Sequence, residues 1–312
     1  DGIQQSIEER LSSGGEVRLT AGRGVLTHAN SRIDVSGGQV NLTAADVRET
    51  QLIGANGQVY DLNSAPADQV YGSALNLQRG GAAGYVRWGV KVNYGALTPT
   101  HHEEGYVEGR AAGAVRIVAP RVVLEGALDA QVVNGTRQQQ GQDTLASRGS
   151  FSVGAVSQNG QDFTSSTYGA NAVLDSFNLS TLGPQNTDAV WADPLESVLP
   201  AVSGMKRDLL AQSGFGQVAV AADGNVSVLG QSVSATLDLG DQATLRLLSL
   251  NGEVSLGGAT TSAGGRVELN SKAGGVSLAA GASVDLAGRF INAFQDGPTA
   301  SGAITGGRFS AS

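Results

Sequence analysis

The sequence predicts an all-β chain wound as a parallel β-helix. This is a three-sided β-solenoid with a coil period of about 22 residues and two non-coil excursions, the second partly helical. Three observations predict it: short apolar–polar–apolar runs recur, they come in threes between glycine-rich corners, and the triplets themselves repeat. The pattern is clearest over residues 264–288, where Val267-Glu268-Leu269, Val276-Ser277-Leu278 and Val284-Asp285-Leu286 begin nine and then eight positions apart. Each run has the alternation of a strand with one buried face.

The same three-beat unit stands near the start. Val17-Arg18-Leu19, Val25-Leu26 and Ile33-Asp34-Val35 begin at steps of eight, and a next cycle is predicted to open at Gly38-Gln39-Val40-Asn41-Leu42, which sets Val40 one period after Val17. Later, Leu245-Arg246-Leu247 precedes Val267-Glu268-Leu269 by the same period, and so does Val254-Ser255-Leu256 before Val276-Ser277-Leu278. A period of this length divided in three is the signature of a solenoid. Three short strands cannot bury their apolar face alone. Stacking the next coil ~4.8 Å above pairs the backbone and turns the Val-x-Leu side chains into internal columns. Val276 and Leu278 are therefore predicted to point inward, where an aspartate would be strongly destabilising.

The repeat signal divides the chain. Residues 1–47 read as coils, with a short helix or loop over 1–11. Residues 48–112 read as irregular coil plus an aromatic β excursion, in which Tyr85 to Tyr94 alternates like a hairpin strand. The coil resumes over 113–133. A second excursion covers 134–213 and carries a short helix at 193–211. Asp193-Pro194 is its start signal, since proline suits the first helical position; Leu195, Val198 and Leu199 share one face, and Val202, Met205 and Leu209 another. Residues 214–312 return to coils.

Composition narrows the function classes. Glycine is 45 of 312 residues, about twice the usual ~7%. Charged residues are only 15% of the chain, against a usual ~25%. A formal charge of −8 with scattered arginines leaves no footprint for nucleic acid or an anionic membrane. No apolar run is long enough for a transmembrane helix, so no direct membrane insertion is expected. Cysteine is absent, which excludes disulfides and cysteine metal sites. The chain opens Asp1-Gly2 without methionine, as expected of a piece of a longer polypeptide.

Few residues call for chemistry. His101-His102-Glu103-Glu104 is the densest set of metal-ligand types, but it lacks helical i, i+4 spacing and reads as an exposed polar loop. No metal or cofactor is expected. Paired acids on a β-helix face would suit carbohydrate chemistry. Asp34, Asp129, Asp238, Asp241, Asp285, Glu125 and Glu268 are the candidates, and each falls singly at a solvated middle or corner position. No nucleophile elbow or phosphate loop occurs, so no catalytic residue is assigned. The aromatics Tyr85, Trp88, Tyr94 and Tyr106 cluster within one coil's length of chain. They are the candidate partner-binding surface, set against the alternative that they pack the excursion onto the rod.

One resemblance adds to this. Gly105-Tyr106-Val107-Glu108-Gly109-Arg110, followed by Gly113-Ala114-Val115-Arg116-Ile117-Val118-Ala119-Pro120, resembles the filamentous-haemagglutinin-like exoproteins of Gram-negative two-partner secretion systems. Ser31-Arg32-Ile33-Asp34-Val35-Ser36-Gly37 and Gly214-Phe215-Gly216-Gln217-Val218-Ala219-Val220 are similar to the same family. The resemblance implies a right-handed parallel β-helix, export through an outer-membrane transporter partner, and a secreted or surface-exposed adhesin that meets a host or bacterial surface receptor or glycan. The Asn-Pro motifs of the family's amino-terminal secretion domain are missing, which implies an interior or distal segment. A carbohydrate-active β-helix enzyme and the stalk of a contact-dependent toxin-delivery exoprotein are the alternatives.

Overall fold

The computed structural model describes residues 13–48, 51–62, 65–74, 83–85, 90–92, 100–139, 144–154, 174–180, 203–211, 213–230, 236–291, 302–304 and 306–311. The chain is mostly β, and its long sheets are parallel. It forms two compact units, one of residues 1–40 with 107–312 and one of residues 41–106.

The first unit is built on two seven-stranded sheets. The first sheet stacks Glu16–Thr20, Ala114–Val118, Ser150–Val153, Gln217–Ala222, Thr244–Ser249, Arg266–Ser271 and Arg308–Ala311 in sequence order, all parallel. The second contains Gly24–Thr27, Arg121–Leu124, Ser203–Lys206, Phe177–Ser180, Val226–Val228, Val254–Leu256 and Val276–Leu278, in that spatial order. A third row holds Arg32–Asp34 paired with Ala127–Asp129, and further on Thr236–Asp238, Ala259–Thr261 and Ser283–Asp285. The five-residue helix Arg207–Ala211 lies against both Ala127–Asp129 and Thr236–Asp238.

The pairing register is the sequence period made physical. Leu245 pairs with Val267 and Val254 with Val276. Inward positions of the first sheet form two columns, Val115-Phe151-Val218-Leu245-Val267 and Ile117-Val153-Val220-Leu247-Leu269, and all of these residues are buried. Burying each such side chain contributes roughly 1.5–3 kcal/mol. The corners repeat as well. Ser249 Oγ donates to Gly224 O (2.8 Å) and accepts the Gly252 N–H (2.9 Å); one pass later Ser271 Oγ donates to Gly252 O (2.8 Å) and accepts the Gly274 N–H (2.9 Å). At another corner Gly113 lies so near the Gly15 carbonyl that a Cβ would collide with it.

Four expectations are corrected. First, Gln39–Leu42 opens no second coil: Val17 stacks on Val115, while Gln39–Leu42 pairs with Tyr106–Gly109. The local pattern Gly-x-Val-x-Leu is the same in both places, so only long-range pairing chooses between them. Second, three described segments of 134–213 belong to the long sheets. Ser150–Val153, Phe177–Ser180 and Ser203–Lys206 are all ladder strands. Third, Met205 is not helical. It sits in Ser203–Lys206 with no solvent exposure, in register with Leu124 on one side and Leu179 on the other. That column prefers an extended Met205 to the weak helical pattern, and the helix starts only at Arg207; Asp193, Pro194, Leu195, Val198, Leu199 and Val202 lie outside the described residues. Fourth, Leu278 is 53% exposed and Val276 half-buried, because they stand in the last strand of the second sheet.

Two polar side chains tie passes together from within. Arg148 donates from Nε to Gly214 O (3.0 Å), from Nη1 to Asp241 O (3.0 Å), and from Nη2 to Phe215 O (2.7 Å) and Leu239 O (2.6 Å). Burial pulls its pKa down, offset by the nearby charges of Asp241 and Asp238. Gln138, in the short helix Thr136–Gln139, accepts the Gly109 and Gly135 N–H groups (2.9 and 3.1 Å) and donates to Gly109 O and Thr144 O (2.9 and 3.0 Å). Its buried amide is thereby satisfied in full.

Two outcomes test this packing. Leu256→Asp, at a site with no exposure, should cost about 3 kcal/mol or more in urea denaturation, whereas Leu278→Asp should cost under about 1 kcal/mol. Arg148→Met should cost roughly 3 kcal/mol, because it leaves four part-buried carbonyls without their shared donor.

Candidate functional site

Four of the five strands of the third row end in aspartate, Ala259–Thr261 being the exception, and for three of them the reason is local. Beyond the strand the chain turns, and an aspartate carboxylate reaches the N–H two residues on. Asp34 Oδ1 accepts from Ser36 (3.0 Å), Asp238 Oδ1 from Gly240 (2.9 Å) and Asp285 Oδ1 from Ala287 (3.0 Å). Near the first of these, Arg32 bridges Asp34 (3.1 Å) and Asp129 (2.8 Å). Hydrogen bonds from the Ser36 side chain and N–H, with help from the Arg32 charge, hold Asp34 below the ordinary carboxylate range.

Farther along the row the aspartates converge. Asp238 pairs in register with Thr261, and Thr261 with Asp285. The two acids therefore share one face, two strand spacings or about 9.5 Å apart along the backbone. Asp241, in the turn after Asp238, forms an ion pair with Arg289, and this hydrogen bond raises the Arg289 pKa. A cleft of about 550 Å³ is lined by Asp238, Gly240, Asp241, Thr261, Asp285 and Arg289, among others. Read singly, these acids are solvated row positions; stacking brings three of the seven candidates together. The other four lie elsewhere. Glu268 sits in the first sheet between Arg246 and Arg266, Glu125 is buried at a corner of the second, and Asp34 and Asp129 are joined through Arg32. Carboxylates beside a hydroxyl and a guanidinium suit a polyhydroxylated ligand. Among the described residues no group of three or more metal-ligating side chains is placed to hold an ion.

The aromatic candidates lie in or at the border of the second unit. Tyr85 ends strand Ala83–Tyr85, which is antiparallel to Val90–Val92. Trp88 and Tyr94 lie outside the described residues. Tyr106 begins Tyr106–Gly109 and is half-buried. Among the described residues of this unit, Tyr60 and Tyr71 form an aromatic pair, edge to face at 5.7 Å. It sits on a three-stranded antiparallel sheet in which Gln51–Gly54 lies between Val59–Asp61 and Tyr71–Ala74, a stretch the sequence leaves partly as irregular coil. Gly54 makes room for the pair: a Cβ there would stand 3.0 Å from the Tyr60 ring and 2.6 Å from Asn56 Oδ1. Asn56-Gly57 between alternating runs is the hairpin signal that points to the pairing of Gln51–Gly54 with Val59–Asp61.

The histidine pair is not in a loop. His101 and His102 belong to strand Thr100–Glu103, antiparallel to Ala45–Arg48. His102 Nδ1 lies 2.9 Å from Asp46 Oδ1.

The turn role of Asp238 and any chemical role separate by substitution. Asp238→Asn retains the Oδ1 acceptor and should melt like the parent, while Asp238→Ala should lose about 1 kcal/mol. A reducing-end assay on oligosaccharides should read the same for parent and Asn variant; reducing ends released by the parent alone would make the cleft catalytic. No family model, curated protein or solved structure matches this chain.

Proposed function

We propose that this chain is a segment of a secreted or surface-exposed adhesin of a Gram-negative bacterium. In this reading a right-handed, three-sided parallel β-helix acts as a rigid rod that presents binding modules for attachment to cells or surfaces. The supporting observation is that two seven-stranded parallel ladders keep their register through the first unit while residues 41–106 form a compact unit of their own. A scaffold whose every pass is held by its neighbours is stiff along its stack. Modules on it bind with strength that grows with their number. Export through an outer-membrane transporter partner belongs to the same reading and is supported by the resemblance of the Gly105–Pro120 stretch.

A second reading is a carbohydrate-active enzyme, favoured by the Asp238–Asp285 face of the cleft. Their spacing of about 9.5 Å between backbones borders the ~6.5–9.5 Å carboxyl separation of inverting glycosidases.

One binding experiment decides between them. Purified chain, and a version in which a short loop replaces residues 41–106, are applied to host cells and a glycan panel. Cell attachment by the parent that disappears in the shortened version is the expected result. Absence of attachment in both would defeat the adhesin reading, and ligand shortened during the assay would promote the enzyme.

A further inference from the structure

We propose that the outward face of the first sheet is a docking track for a linear polyuronate, an anionic polysaccharide with a carboxylate on each sugar; this deepens the adhesin reading and rests on it. The chain as a whole is acidic, with formal charge −8. Yet the outward positions of this sheet hold five arginines, Arg18, Arg116, Arg246, Arg266 and Arg308, against two glutamates, Glu16 and Glu268. Positive charge is thus gathered onto one face of an acidic molecule.

The arginines form two groups. In the first, Glu16 lies 3.3 Å from Arg18 and 3.0 Å from Arg116. In the second, Glu268 pairs with Arg246 at 2.6 Å and with Arg266, and Arg308 follows in register beside Arg266. Each glutamate orients its guanidiniums but is outnumbered by them, so both groups keep excess positive charge. Between them the outward residues are Ser150, Ser152, Gln217, Ala219 and Thr244, a short-chained and uncharged floor. Arg116 and Arg246 stand three strand steps apart in the register, or about 14 Å.

The geometry selects the partner. A guanidinium grips a carboxylate through two parallel hydrogen bonds. The track runs across the strands with a repeat of about 4.8 Å, close to the advance of a polysaccharide per sugar. A polymer laid along the stack therefore meets roughly one strand per sugar. The hydroxyl and amide floor matches sugar hydroxyls with donors and acceptors. A neutral glycan would leave the excess positive charge unanswered. A bilayer or nucleic-acid duplex is broad enough to bring its own charge against the acidic remainder of the chain, whereas a single polymer meets the arginine row alone.

The test uses the full chain and the triple variant Arg18→Gln, Arg266→Gln, Arg308→Gln. Arg18 and Arg266 are about half exposed, and Glu16 and Glu268 retain Arg116 and Arg246, so the variant should melt with the parent. Binding is read by interferometry on immobilised polygalacturonate and alginate, with dextran and a sulfated polysaccharide alongside, across a salt series. The parent should bind both polyuronates and not dextran, more weakly as salt rises. The triple variant should bind at least roughly tenfold more weakly, as expected on losing charge-assisted hydrogen bonds. Undiminished polyuronate binding by the triple variant, or binding confined to the sulfated polymer, would overturn the proposal. The version lacking residues 41–106 keeps the track, so it should keep polyuronate binding. A parent that binds polyuronates but no cells would sink the adhesin reading and leave the track standing.

Discussion

The structure depends on one constraint: an inward side chain is buried when it is covered on both sides along the stack, by side chains in register one strand above and below or, for Leu128 and Leu237 in strands at the end of short ladders, by the helix Arg207–Ala211 on one side. Where both neighbours exist, as for Leu245 between Val218 and Val267, exposure falls to zero. Where a ladder ends, the same kind of residue opens to solvent; Phe309 in the last strand of the first sheet is 41% exposed. Parallel backbone pairing sets the spacing of these columns, and their apolar burial holds the pairing. Corners must then repeat so that each strand re-enters at the right height, which is the work of the hydroxyl bridges at Ser249 and Ser271.

The constraint acts on the columns and not on the route by which the chain reaches them. Residues 41–106 leave between one pass and the next, and Val17 still stacks on Val115. Ser203–Lys206 comes after Phe177–Ser180 in the sequence but stands before it in the sheet, with Met205 filling the column between Leu124 and Leu179. The second sheet thereby gains a strand relative to the first over this stretch, and the helix Arg207–Ala211 occupies the third row beside it. Insertions that respect the columns cost the ladder little, so such a fold is well suited to carrying modules.

Stacking also creates chemistry that no single pass contains. Outward residues of successive strands become rows, so that an aspartate every other strand lines a cleft with Asp238 and Asp285, and arginines from well-separated segments align on the first sheet. Two polar clusters are accommodated by hydrogen bonding between passes: the buried amide of Gln138, and the four carbonyls gathered by Arg148.

The antiparallel pair Arg289–Ile291 with Gly302–Ile304, and Arg308–Ala311 stacked on Arg266–Ser271, follow no coil period. Before them, the alternation Val-x-Leu and its return once per coil were enough to determine that Leu245-Arg246-Leu247 stacks under Val267-Glu268-Leu269 and Val254-Ser255-Leu256 under Val276-Ser277-Leu278. Both pairings follow from nearest-neighbour stacking at a constant period. The same pattern leaves Asp238 and Asp285 as single solvated positions and does not make them cleft partners, since closeness across strands depends on which strand intervenes. Only the tertiary structure decided that Val40 is not the partner of Val17, that Met205 is extended and not helical, that Tyr60 and Tyr71 meet edge to face, and that Leu278 lies open at a ladder's end. In each case two placements satisfy the same local pattern. The choice belongs to contacts with residues distant in the chain, whose register a local period does not encode.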